Sequence, residues 1–196
     1  MILSNKQCSL ILKQLYQDKV TQRQQILALR NCTLSLLMLD AGLRITELVE
    51  LFIYDLIVEG MNQSRTAVGT LNIVRGIPTG RFPRSIPLTN RVRNFIEQMN
   101  QWWWTSNAGR SGSFAFYNQT ASRHITTRQV QRIIGQASLD ALGHSIRPND
   151  LRRTCAAKLL QGMELKSVQN FLGYKTNQKS FFYSRKNNRE TANARA

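Results

Sequence analysis

The sequence predicts an α+β fold that is mainly α and contains one small antiparallel β-hairpin. Apolar residues recur at helical spacing along most of the 196 residues, and only residues 68–88 change to short β-branched runs. We find no internal repeat, and the length suits one well-buried domain. We therefore expect residues 1–196 to form a single domain, with residues 184–196 as a flexible basic tail.

The first third of the chain predicts three helices. Apolar spacing indicates a short amphipathic helix over residues 4–17, capped by Ser4 or Asn5, and a longer helix over residues 22–41. Gly42 is the expected stop of the longer helix. A third helix follows at once, and its inward positions are Leu48, Val49 and Leu51.

The middle of the chain contains the predicted hairpin. The runs VGTLNIV and RSIPL flank RGIPTGRFP, whose two glycines and two prolines indicate a long basic turn. Helical spacing returns over residues 92–99 and 130–137, and SNAGRSGS between them reads as an exposed loop. We expect the three tryptophans at positions 102–104 to pack the end of the preceding helix against the core.

The last third is again predicted to be helical. One apolar stripe runs from Leu151 to Leu160 and ends at Gly162, and a second stripe ends at Gly173. A third short helix would carry Phe181, Phe182 and Tyr183.

The charge balance predicts a polyanionic partner. The chain has 27 Lys and Arg against 11 Asp and Glu, which gives a formal net charge of +16. Such a surface gains affinity for nucleic acid by releasing condensed counterions, so double-stranded DNA is the expected partner. The most apolar helical stretch, residues 26–43, is interrupted by Arg30, Asn31 and Asp40. We therefore expect no association with a membrane.

Cysteine usage and the N-terminus predict a protein of the cytoplasm, associated with the nucleoid through DNA. The three cysteines are an odd number without C-x-x-C spacing, so neither a disulfide framework nor a zinc site is expected. No secretory signal pattern opens the chain. The residues also suggest no metal site and no cofactor.

Two segments place arginines where they can bind an anion. GLRITEL, residues 42–48, sets Arg44 at the start of a helix, with Glu47 one turn later to hold the guanidinium. RPNDLRRT, residues 147–154, predicts a helix capped by Asn149 or Asp150 with Arg152 and Arg153 in its first turn. Cations there oppose the helix dipole, and a bound anion would explain them.

A third segment, NFLGYKTNQKSFFYSR, places Tyr174 after a glycine stop and Tyr183 nine residues later. In order and spacing, the three segments resemble the tyrosine recombinases of the phage integrase type. That family shows G-L-R-x-x-E-L, then H-x-L-R-H-T, then L-G-H and a nucleophilic tyrosine. Arg44 lies too early for a preceding core-binding domain, so the chain resembles the short single-domain members. The residues that match are Gly42, Leu43, Arg44, Glu47, Leu48, Asn149, Leu151, Arg152, Thr154, Leu172, Gly173, Tyr174 and Tyr183.

The resemblance implies a site-specific recombinase that integrates, excises or inverts DNA. Tyr183 would form a 3′-phosphotyrosyl link while Arg44 and Arg152 clamp the phosphate, with Asn149 and Tyr174 in supporting roles. Strand exchange would need neither metal nor ATP. The resemblance also implies a homotetramer on synapsed DNA, assembled from monomers or dimers, and allows for an accessory DNA-bending protein. The residues expected to contact DNA are Arg75, Arg81, Arg84, Arg153 and Lys175.

The sequence departs from the family pattern at four positions. Asn149, Arg153 and Tyr174 stand where the family pattern has histidines, and the chain has no lysine between Lys19 and Lys158. The hairpin lysine that protonates the leaving oxygen in the family is therefore missing, and its slot falls near Pro78 or Thr79. Arginine is a poor proton donor, so we expect slow cleavage assisted by Arg81, or a degenerate enzyme.

Two other functions fit the sequence. One is a DNA-binding or regulatory protein that keeps the recombinase fold without its catalysis. The other is a helix-turn-helix repressor built from residues 150–161 and 164–172, in which Arg44 and Tyr183 would be dispensable.

Overall fold

A computed structural model of the protein describes residues 1–16, 21–59, 65–77, 82–104, 113–117 and 123–174. These ranges are mainly helical with two small antiparallel sheets, which confirms the predicted α+β class. The helices are α1 (Asn5–Tyr16), α2 (Gln22–Leu39), α3 (Ile45–Val49), α4 (Ile53–Leu56), α5 (Asn90–Met99), α6 (Thr127–Leu142), α7 (Pro148–Leu159) and α8 (Leu165–Leu172). The strands are β1 (Ile57–Glu59), β2 (Arg65–Ala67), β3 (Thr70–Ile73) and β4 (Arg84–Pro87).

Helix α2 is the central element of the core. Its first turn is capped by Thr21, whose hydroxyl accepts a hydrogen bond from the backbone N–H of Gln24 at 3.3 Å. Nearly every residue from Ala28 to Leu39 is buried, and the helix packs against α1, α5 and α7. The sequence prediction of a long buried helix that stops before Gly42 is confirmed.

The predicted hairpin is present as β3 and β4. These strands pair antiparallel with Leu71 opposite Ile86, and both residues are fully buried on one face of the sheet. A second sheet, in which Ile57 of β1 pairs with Ala67 of β2, was not predicted. Strands of three residues are too short to show the alternation of polar and apolar residues that identifies a strand.

The tryptophan run continues α5 as one π-helical turn, Asn100–Trp104. Trp103 and Trp104 are buried, and the indole N–H of Trp104 donates to the carbonyl of Ala115 at 3.0 Å. Trp102 is half-exposed. The expectation that these rings hold the end of α5 on the core is confirmed for two of the three.

Helix α7 begins earlier than the sequence predicted. Pro148 is its first residue, where a missing N–H costs no hydrogen bond, and Arg147 occupies the cap position. The Asp150 carboxylate accepts from the backbone N–H of Arg147 at 3.0 Å. Neither Asn149 nor Asp150 is therefore the cap residue, and Arg152 lies in the second turn of the helix.

Several expectations fall outside the described residues. They concern the short helix at residues 181–183, the tail at residues 184–196 and most of the SNAGRSGS loop. The assignment of residues 1–196 to a single domain stays a prediction. Within the described ranges, none of the helices combines the length and apolar character that crossing a bilayer requires.

Candidate active site

A buried carboxylate, Glu47 on α3, is surrounded by three arginines from different parts of the chain. Arg44 Nη1 donates to Glu47 Oε1 at 2.6 Å. Arg84 from β4 makes a bidentate contact with the same carboxylate, in which Nη1 donates to Oε1 at 2.7 Å and Nη2 donates to Oε2 at 2.8 Å. Arg152 Nη1 from α7 lies 3.9 Å from Glu47 Oε2. Burial alone would raise the pKa of Glu47, but hydrogen bonds and charge from Arg84 and Arg44 outweigh burial and lower it. Glu47 is therefore the ionised centre of the cluster.

The same arginines also bind the carbonyl oxygens that end α8. The last carbonyls of a helix lack partners within the helix and lie at its negative end, so guanidinium groups suit them. Arg84 Nε donates to the Phe171 carbonyl at 2.9 Å. Arg152 Nη2 and Arg44 Nη2 both donate to the Leu172 carbonyl, at 2.6 and 3.3 Å. The end of α8 thus holds three cations that would otherwise repel one another.

Gly42 allows the backbone to pass close to this cluster. Its φ of +62° lies in the left-handed region, and a Cβ atom there would meet Leu172 Cδ2 at 2.5 Å. Its carbonyl accepts a hydrogen bond from Arg152 Nη1. The glycine that ends the α2 segment therefore supplies one of the acceptors that orient Arg152.

Tyr174, which follows α8, lies over two of the guanidinium groups. Its ring centroid is 5.5 Å from Cζ of Arg44 and 5.2 Å from Cζ of Arg152, within the range of cation–π attraction. The Arg152 side chain is only 3% exposed, and this burial is the main reason that its pKa is lowered. Arg44 is 15% exposed and is the more accessible of the two.

The cluster has a net positive charge that suits a phosphate group. The guanidinium groups of Arg44, Arg84 and Arg152 against the carboxylate of Glu47 leave a formal charge of 3 − 1 = +2. Planar guanidinium forks bind phosphate oxygens in pairs, and they act more strongly in a buried site than in water. The arrangement can therefore bind a phosphodiester and stabilise charge that develops on its oxygens.

Asn149 lies exposed in the first turn of α7, three residues before Arg152. Positions three apart share one face of a helix, so the amide lies on the side of α7 that carries Arg152. Arg153 is exposed, and its guanidinium lies 3.4 Å from Asp150 Oδ1. The described residues do not include Tyr183, Arg81 or Lys175.

Arg75 lies apart from the cluster. Its guanidinium pairs with Asp55 and lies over the rings of Phe52 and Tyr54, at 4.8 and 5.3 Å from their centroids. About a third of the Arg75 side chain remains exposed. This residue is therefore held in place by the protein and still reaches solvent.

The surroundings of Arg84 differ from those that the sequence predicted. It was predicted to contact DNA, yet its side chain is 5% exposed and lies between Glu47 and the end of α8. A signal was available in the sequence, because Arg84 is two residues from the buried Ile86 on the same strand. Residues two apart on a strand point to the same face, which places Arg84 on the inner side of the hairpin.

No cluster of His, Cys, Asp and Glu that could hold a metal ion occurs among the residues that the structure describes. The described polar groups of the site are guanidinium, carboxylate, amide and phenol groups.

Comparison with known proteins identifies relatives along most of the chain. The sequence profile described as "Phage integrase family" matches residues 3–190. The tyrosine recombinase XerC of Azotobacter vinelandii is 28% identical over 136 residues, and that of Stutzerimonas stutzeri is 31% identical over 137 residues. Each match covers 69% of this chain, but the chain spans only 41% of the length of these relatives.

The fold also matches a solved recombinase structure. The XerH site-specific recombinase bound to its difH substrate superposes with a TM-score of 0.70 at 20% identity, over 93% of this chain and 49% of that one. At this identity the likeness concerns the fold alone. Since the family profile covers almost the whole sequence, the chain belongs to the phage integrase family.

Proposed function

We propose that the protein breaks and rejoins DNA as a tyrosine-type site-specific recombinase. The observation that carries the proposal is the convergence of Arg44 and Arg152 on one carbonyl, that of Leu172. The two arginines are far apart in sequence, and with Glu47 and Arg84 they form a cluster of formal charge +2. Membership of the phage integrase family supports this chemistry.

In the proposed reaction, the Tyr183 oxygen attacks the scissile phosphorus. The new Oη–P bond forms as the P–O5′ bond breaks, so the products are a 3′-phosphotyrosyl link and a 5′-hydroxyl. Arg44 and Arg152 stabilise the negative charge that builds on the non-bridging oxygens. The phosphodiester energy is kept in the protein–DNA link, and attack by another 5′-hydroxyl then rejoins a strand and releases the tyrosine.

Asn149 and Tyr174 take the supporting roles. An amide can donate a hydrogen bond to a phosphate oxygen but cannot accept a proton near neutral pH, so Asn149 orients the phosphate without acting as a base. The Tyr174 ring lies over both arginines, and in the proposed reaction its hydroxyl exchanges its interaction with Arg152 for one with the phosphate. Both residues position the phosphate rather than move protons.

The basic residues outside the cluster contribute by binding the DNA backbone. Arg75 and Arg153 keep exposed guanidinium surface, and Arg81 and Lys175 complete the set that the sequence analysis assigned to DNA. Arg84 is better assigned as a positioning residue that holds Glu47 and the end of α8.

We propose a homotetramer on synapsed double-stranded DNA, formed from free monomers or dimers, with an accessory DNA-bending protein where the site requires it. Such a protein acts at the nucleoid.

Covalent trapping tests the proposal. The departing 5′-oxygen needs a proton, and the hairpin lacks a lysine to provide it. A duplex with a bridging 5′-phosphorothiolate has a leaving group that needs no proton, so it should give a protein–DNA adduct visible on a denaturing gel. We expect the adduct to form at least about 100-fold faster on this duplex than on normal DNA, because general acid catalysis typically contributes that much. The substrates are duplexes from the sequences that flank its gene.

A second candidate function is a DNA-binding protein without catalysis. Its basis in the sequence is Asn149, Tyr174 and the absence of a hairpin lysine, whereas the family match favours the recombinase. Specific binding to the phosphorothiolate duplex with no adduct would support this candidate and contradict the recombinase proposal.

An Arg152→Lys variant is expected to cleave roughly 100- to 1,000-fold more slowly, since one preorganised contact to developing charge contributes that much. An ammonium group keeps the charge but cannot contact two carbonyls and a phosphate in one plane. The adduct rate on the phosphorothiolate duplex is the measurement, with DNA affinity determined in parallel.

The matched control is Arg91→Lys, which changes an arginine that is half-exposed on α5 and paired with Asp40. Its adduct rate should stay within about twofold of the wild type, as for most surface substitutions. Equal rates for the two variants would remove Arg152 from the proposed machinery.

A further inference from the structure

A cleft of about 770 Å³ lies at the other end of α2 from the arginine cluster. Its walls come from the first halves of α2 and α6, and Trp103 and Tyr117 also line it. Arg44 follows the C-terminal end of α2, an 18-residue helix about 27 Å long at 1.5 Å per residue. The cleft is therefore separate from the candidate active site.

The cleft is strongly positive. Arg23, Arg30 and Arg132 line it, and none of the described residues in its lining is Asp or Glu. The N-terminal halves of both helices border it, so the positive ends of two helix dipoles add to the side-chain charge. These features favour a ligand that carries negative charge.

Arg30 is the innermost of the three arginines. Its guanidinium lies 5.3 Å from the centroid of the Trp103 ring and donates to the side-chain oxygen of Asn31 at 3.0 and 3.1 Å. Burial lowers the pKa of Arg30 to about 10. Among the described residues, no carboxylate lies within ion-pair distance of this guanidinium. A bound anion would therefore compensate a partly buried cation to which the described residues supply no opposite charge.

The remaining walls suit an apolar group. Ile26, Leu27, Ile125 and Ile133 line the cleft beside the Trp103 ring, and Gln129 adds a group that can both donate and accept hydrogen bonds. Small-ligand sites commonly combine apolar and aromatic walls with a few placed polar groups, in volumes of roughly 300–1,000 Å³.

We propose that this cleft binds a nucleotide unit, with its phosphate on the arginines and its base against the apolar wall beside Trp103. The unit can come from two sources: a free mononucleotide or one nucleotide of a nucleic acid strand. The charges and rings that carry the proposal are all remote from Arg44 and Arg152, so it does not depend on the cleavage chemistry.

Titration of the full chain with AMP, followed by tryptophan fluorescence, tests the proposal, since Trp103 lies in the cleft. A second titration uses a 12-nucleotide single-stranded oligonucleotide. We expect saturable quenching in at least one titration and roughly tenfold weaker binding in an Arg132→Gln variant, the typical effect of one lost charge-assisted hydrogen bond. Arg132 is exposed, so this change leaves the core intact.

The matched control is Arg128→Gln, which removes the same charge from the same helix at an exposed position outside the cleft lining. Its affinity for AMP should stay within about threefold of the wild type, because only long-range attraction is lost. Saturable binding of AMP indicates a free nucleotide, and binding of the oligonucleotide alone indicates a strand. The proposal is overturned if neither probe saturates, or if the two variants weaken binding equally.

Discussion

A Tyr183→Phe variant is expected to form no covalent adduct on the phosphorothiolate duplex and to bind that duplex within about twofold of the wild-type affinity. The substitution removes the one oxygen that the proposed reaction requires and keeps the aromatic ring. A denaturing gel measures the adduct, and fluorescence anisotropy measures binding.

Tyr174→Phe is the matched comparison for Tyr183. The ring stays over Arg44 and Arg152, while the hydroxyl that interacts with Arg152 is lost. Loss of one hydrogen bond to a charged group predicts an adduct that forms roughly tenfold more slowly. An adduct that survives in Tyr183→Phe and disappears in Tyr174→Phe would show that the nucleophile has been assigned to the wrong tyrosine.

The free energy of unfolding of a Glu47→Gln variant is expected to be about 3–5 kcal/mol lower than that of the wild type, which is the usual effect of removing one partner from a buried ion pair. Glutamine has nearly the same shape, but without the negative charge Arg44, Arg84 and Arg152 would face one another uncompensated. Urea unfolding followed by tryptophan fluorescence measures the free energy. Cleavage should also fall, because Glu47 orients Arg44.

The control for Glu47 is Glu50→Gln, since the Glu50 side chain is 40% exposed and lies three residues later. Its free energy of unfolding should change by less than about 0.5 kcal/mol, as for other surface substitutions. If the two variants were equally stable, the buried carboxylate would not be the electrostatic centre of the site.

The stabilisation by Glu47 should depend on pH in a defined direction. Its pKa is lower in the folded protein than the value of about 4.3 for an unfolded chain, so its ionised form favours folding. The difference in stability between wild type and Glu47→Gln should therefore be constant above about pH 5 and shrink as the pH falls through the folded pKa. A difference that instead grew on acidification would contradict this assignment.

The helices and the hairpin could be predicted because their signals are local. The apolar spacing of α2, the stops at Gly42 and Gly173, and the paired runs of β3 and β4 each depend on neighbouring residues. The order of the arginine and tyrosine segments was likewise sufficient to suggest the family, which the profile over residues 3–190 then established. The strands β1 and β2 lacked such a signal because each has only three residues.

The sequence by itself determined the fold class and the family. Only the tertiary structure decided which of the arginines face inward and what holds them. Arg84 meets Glu47 across 37 residues, and Arg44 meets Leu172 across 128. A guanidinium can donate hydrogen bonds to a carboxylate, a carbonyl or a phosphate, so its residue type does not specify which of them it binds. The tertiary packing determines the partner, because it brings the end of α8 and the buried Glu47 into contact with the side chains of Arg44, Arg84 and Arg152.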